Sequence, residues 1–118
     1  RPFTVELRGP RARTRPAPPD PPPPRQEPAR ARALLHAAGL ESGELTARMD
    51  HYVARYVSLA DHAWFHLRAA GMPGWLLGHA DLAAMVEEWC ASGMLTTVSD
   101  PDGGVHVFAH RDPLASEP

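Results

Sequence analysis

Apolar positions fall into helical and alternating stretches after residue 28 and are sparse before it. Leu34, Leu35 and Ala38 follow Pro28, which suits the first turn of a helix; Glu27 complements the positive end and Gly39 closes it. This predicts a short helix. Over residues 44–70, Leu45, Met49, Tyr52, Tyr56, Leu59 and Ala63 recur at alternating spacings of four and three, widened by Val53, Val57, Ala60, Trp64 and Leu67. The expectation is one long amphipathic helix, or two joined near residues 57–59, ended by Gly71 and Pro73. Residues 80–92 repeat the pattern, with Leu82, Met85, Val86 and Trp89 inward, Asp81, Glu87 and Glu88 outward, Cys90 on the flank and Gly93 at the end.

Two β-prone runs follow, residues 94–98 and 105–110, around the turn cluster Ser99-Asp100-Pro101-Asp102-Gly103-Gly104. They predict a hairpin. Upstream, ten of the fourteen prolines lie in the first 28 residues, including the run at 21–24. Proline removes backbone donors and fixes φ near the polyproline II value, so residues 9–26 are expected to be an extended linker without a packed element. Proline pairs within residues 18–24, flanked by Arg15 and Arg25, fit the spacing that aromatic grooves read, although a plain spacer is the simpler expectation. Phe3-Thr4-Val5-Glu6-Leu7 alternates like a strand and could add to a sheet. The division expected is a disordered, proline-rich basic tail at 1–27, a body at 28–112 and a fraying tail at 113–118.

Charge sharpens that division. All twelve basic residues are arginine; eight lie in the first 32 residues against three acids, and the remaining four face eleven acids. A basic tail therefore precedes an acidic body. One cysteine makes no internal disulfide and no apolar run approaches the ~18 residues of a membrane span, so a cytoplasmic protein is expected. The chain begins at Arg1 and reads as part of a larger protein or complex. A body of about 85 residues is too small to enclose a sizeable active-site pocket, which argues against an enzyme.

Helices followed by Leu82-Ala83-Ala84-Met85-Val86-Glu87-Glu88-Trp89-Cys90-Ala91-Ser92-Gly93-Met94-Leu95 and a glycine-tipped hairpin resemble the second half of a winged helix domain, over residues 44–112 at most. The resemblance implies an α+β, mostly helical, winged-helix-like body. It also implies two helices with a clear turn within residues 44–70, where no Gly or Pro stands between them; a helical hairpin with an appended β-hairpin is the alternative. Many such domains bind DNA, with the helix of residues 80–92 offered to the major groove. That helix has no basic residue and exposes Asp81, Glu87 and Glu88, while the wing adds Asp100 and Asp102. Phosphate contacts need Lys or Arg. The preferred expectation is a non-enzymatic protein-interaction adaptor; the alternative is a DNA-binding regulator using the last helix, the wing and the tail arginines Arg8, Arg11, Arg13 and Arg15.

Other constellations are weaker. His62 and His66 have metal-ligand spacing on a helix, but a third ligand is missing and Ala63 stands where the metalloprotease pattern has Glu. His106 and His110 share that spacing on a strand, about 13 Å apart, and are expected to cover the hairpin faces with Phe108 between them. Cys90 and the serines lack activating motifs, and no metal or cofactor is expected. On a continuous helix His51, Arg55, Ser58, His62 and Phe65 would fall along one line opposite the apolar stripe. Together with Trp75 in the following loop they form the partner surface expected from sequence, against the simpler reading of a solvated face.

Overall fold

The computed structural model describes residues 20–114. Five helices and three strands follow in order: α1 (Pro28–Ala37), α2 (Ser42–Met49), β1 (Tyr52–Tyr56), α3 (Leu59–Ala69), α4 (Gly74–Leu77), α5 (Leu82–Ala91), β2 (Leu95–Ser99) and β3 (Val105–Ala109). The strands form an antiparallel sheet in the order β1-β3-β2. Its centre is the hairpin strand β3, so the fold is α+β as expected, with helices and a C-terminal hairpin, and a third strand, β1, adds to that hairpin. No helix among the described residues is long and apolar enough to cross a membrane.

Pro28 opens α1 and the hairpin falls where the alternating runs predict it. Asp81 caps α5, its side chain accepting from the Ala84 amide at 3.0 Å. The continuous helix over residues 44–70 is overturned. Tyr52, Val53, Tyr56 and Val57 bring the β-branched and aromatic groups that suit a pleated surface, and pairing with β3 favours a strand there. Ser58 then starts α3, its hydroxyl accepting from the Asp61 amide.

A register shift between Tyr52 and Ala54 matters for packing. Tyr52 lies opposite Phe108 and Ala54 opposite Val107. Because Val107 and Phe108 point to opposite faces of β3, the irregularity sends Tyr52 and Ala54 to opposite faces too, where a regular strand would keep them together. Each face then has its own core. Ala54, Tyr56, Leu95 and Val107 pack with Ala63 of α3 and Val86 and Trp89 of α5. Phe108 packs with Ala31 and Leu35 of α1 and Leu45 of α2, joined by Tyr52 and Val98. The sheet is thus the middle of three layers.

The proline-rich segment ends against this body. Arg25 exchanges both backbone hydrogen bonds with Arg55, at 2.9 and 2.8 Å, so residues 25–27 lie along the outer edge of β1 although the composition predicts no paired element there. Residues 1–19, with the alternating run at 3–7 and the tail arginines Arg8, Arg11, Arg13 and Arg15, lie outside the described residues, as do residues 115–118.

Candidate functional site

Two features stand out: a charged cluster under the hairpin turn and the exposed side chains of α4 and of α5. The cluster centres on Asp100, buried at the end of β2. Arg30 of α1 binds it with two nitrogens, at 3.0 and 2.9 Å, and also reaches Asp102 at 3.0 Å. His106 of β3 lies 2.9 Å from the same carboxylate through Nε2, and the Asp102 amide donates to it at 2.9 Å. Arg55 of β1 stands 3.6 Å away, bonds Glu27 at 2.8 Å and donates to the Gly103 carbonyl at 3.1 Å. The Arg30 bonds, then those from His106 and the Asp102 amide, hold the Asp100 carboxyl well below the usual carboxylate range.

The polar atoms around His106 close into one chain of donors. The Glu27 amide donates to the Tyr52 hydroxyl at 3.2 Å, and that hydroxyl is 3.3 Å from His106 Nδ1. With the proton on Nε2, His106 donates to Asp100 and accepts from Tyr52, and every group is satisfied. Glu27, Asp100 and His106 also bring ligand atoms within 4.8 Å of one another. Arg30 and Arg55 already supply the positive charge this carboxylate pair demands, so the arrangement suits an ionic latch around the buried Asp100 better than a cation. It ties α1, the chain entering it, and the hairpin turn into one unit.

The partner line predicted from a single helix is not brought together. His51 precedes β1 with its ring tilted against that of His110 at 4.6 Å, Arg55 is held in the latch, and Ser58 is a cap. His62 is buried, touching Tyr56 and Trp89, and Phe65 is half-buried against the core beside Tyr56. The physical reason is the strand inserted between α2 and α3, which breaks the helical phase that would align them. His51 and Ser58 stay exposed, and Trp75 is the large apolar group of the set that does, 70% open on the short helix α4 beside Leu76 at 38%.

His62 and His66 stack at 5.8 Å, and His66 Nε2 is bonded to Asp112 at 2.9 Å. His62 Nδ1 is buried with no hydrogen-bond partner among the described residues. Burial, then the neighbouring His66, lowers the His62 pKa to about 4, so the ring is neutral at pH 7. Burial pushes the Cys90 thiol up, away from the reactive thiolate. His106 and Phe108 share one face of β3, with His106 fully buried, and His110, just past the strand, lies 2.8 Å from the Thr96 hydroxyl through Nε2.

Sequence reasoning missed Glu27, Arg30, Asp100 and His106 as a set. Their only local signal is an aspartate beside a glycine-rich turn and a histidine six residues later; Arg30 lies 70 residues upstream of Asp100. On α5 the exposed positions are Ala83, Ala84, Glu87, Glu88 and Ala91, with Asp81 at its cap. This face carries two carboxylates and no cation. Compared with known proteins, the chain gives no significant match to a family model, a curated protein or a solved structure.

Proposed function

We propose that the chain is a non-enzymatic protein-interaction module with a winged-helix-like body. The order of helix, short helix, helix and glycine-tipped hairpin from α3 to β3 supports the resemblance, as does the separation of α2 from α3 within residues 44–70. The layer formed by α1 and α2 is an addition that covers the second face of the sheet.

The observation that carries the functional reading is the solvent face of α5. In a DNA reader this helix enters the major groove, and groove binding needs cations for the phosphates and donors for the base edges. Here it offers alanine methyls and carboxylates, while the wing arginine partners, Arg30 and Arg55, are consumed by the latch. An exposed tryptophan followed by leucine on α4 is instead the chemistry of a protein contact. In the alternative reading, nucleic acid is held by the tail arginines Arg8, Arg11, Arg13 and Arg15.

Fluorescence anisotropy of labelled duplex DNA, read from about 50 to 200 mM salt, tests this on the full chain and on a variant with those four arginines changed to alanine. The variant is expected not to bind. Sequence-selective binding by the variant overturns the proposal in favour of a DNA-binding regulator.

A further inference from the structure

His51 stands directly before β1 and His110 directly after β3, so the antiparallel pairing of those strands brings two histidines together that are far apart in sequence. The Ala109 amide donates to the His51 carbonyl at 2.9 Å and the His110 amide to the Met94 carbonyl at 2.8 Å, which pins both backbones. The ring centroids lie 4.6 Å apart with their planes tilted by 54°. His51 is exposed and His110 half-buried, so the pair is a surface feature.

Thr96 of β2 orients the second ring, its hydroxyl oxygen lying 2.8 Å from His110 Nε2. With the proton on Nε2, that nitrogen donates to Thr96 and Nδ1 keeps its lone pair. Metal-bound histidines are held in this way, by an acceptor on the nitrogen that the metal does not use. Burial, then His51 and Arg48, lowers the His110 pKa, so the ring is neutral at pH 7. Arg48 is the weakest of these influences, its guanidinium lying over the Phe108 ring at 6.0 Å from the centroid. A neutral His110 offers an anion no charge, and the pair therefore suits a metal rather than a phosphate.

Spacing selects the ion. With a metal–nitrogen bond of ~2.0 Å and ~1.2 Å more to the ring centre, two imidazoles on one ion stand about 4.5 Å apart at a right angle and about 5.2 Å apart at the tetrahedral angle. The observed 4.6 Å fits the right angle. Right-angled nitrogen sites suit Cu(II) and Ni(II), whereas Zn(II) prefers the tetrahedron. His62 and His66, the pair with metal-ligand spacing on a helix, stand 5.8 Å apart and fit neither. We propose that His51 and His110 form a two-imidazole site for Ni(II) or Cu(II), completed by water, that clasps the start of β1 to the end of β3.

Ni(II) is the probe, because Cu(II) would also react with the Cys90 thiol. Substoichiometric Ni(II) is added to the isotope-labelled full chain, and paramagnetic broadening of the amide signals is read by NMR. Residues 50–52 and 109–111 are expected to broaden before the surroundings of His36 and His79, two other exposed histidines. His51→Ala and His110→Gln are each expected to bind at this position at least about tenfold more weakly, with amide spectra that otherwise match the parent and so show a folded chain. Broadening spread evenly over the exposed histidines overturns the proposal and indicates an adventitious ion only. Broadening of residues 50–52 and 109–111 that survives His51→Ala overturns it as well.

Discussion

Asp100 and His106 lie 2.9 Å apart, Oδ2 to Nε2, with both side chains closed to solvent. They sit at the two ends of the hairpin turn, and Arg30 joins them to a helix 70 residues upstream. Asp100→Ala leaves the Arg30 guanidinium and the His106 ring without their acceptor. Breaking such a pair by removing one member is strongly destabilising, so the variant is expected to melt at least about 10 °C lower. Differential scanning calorimetry reads the shift. An unchanged Tm means that the latch contributes nothing to holding α1 on the sheet.

Gly104 closes that turn with φ +85, and a Cβ there would stand 2.6 Å from the Tyr56 carbonyl oxygen. Gly103, at φ +113, faces open space. Both positions are strained for other residues, but only Gly104 adds a backbone clash. Gly104→Ala is expected to lose about 2 kcal/mol or more and Gly103→Ala about 1 kcal/mol, measured by urea unfolding. Equal losses contradict the close approach of β1 to the turn.

His62 makes stability fall with acid. Its folded pKa of about 4 lies below the ordinary 6.5, so the unfolded chain binds the proton more readily between those values. Its contribution is full above about pH 6.5 and is lost as pH falls toward 4, a change of about 3 kcal/mol at most. His62→Phe, which also removes the unpartnered Nδ1, should flatten that part of the urea-midpoint profile against pH. A profile as steep as that of the parent protein contradicts the burial of a neutral ring.

The tryptophans separate surface from core. Trp75→Ala is expected to change stability by less than about 0.5 kcal/mol, whereas Trp89→Ala, in the core beside Val86 and Ala63, should lose about 3 kcal/mol or more. Urea unfolding of the two variants reads the contrast. A large loss at Trp75 means that it packs in the fold and is no anchor for a partner.

What was legible in the sequence divides along physical lines. Pro28, the apolar face of α5 and the glycine-rich hairpin turn are local signals, and each element lies where they predict. Strand β1 was not legible because Tyr52 and Tyr56 continue a spacing of three and four from Leu45 to Ala63, while the irregularity at Val53 disturbs the alternation that would have marked a strand. Ser58 and Asp61 carried the one visible hint, a cap in the middle of the supposed helix. The latch was hidden for a different reason. Arg55 meets Glu27 across 28 residues and Arg30 meets Asp100 across 70, and no periodicity encodes which strand faces which helix. Trp75 needed only a proline before it and a short helix around it to stay outside.

The exposed face of α5, with Glu87 and Glu88 and no cation, separates a protein contact from a DNA reader. Amide chemical shifts of the isotope-labelled full chain, followed while duplex DNA is added at about 50 mM salt, read that face residue by residue. Leu82–Ala91 and the turn at residues 100–104 are expected to keep their shifts, with any change confined to the arginine-rich residues 1–19. Shifts that move along α5 and the turn together, and saturate for one duplex sequence over another, contradict it and make this helix a reader of DNA.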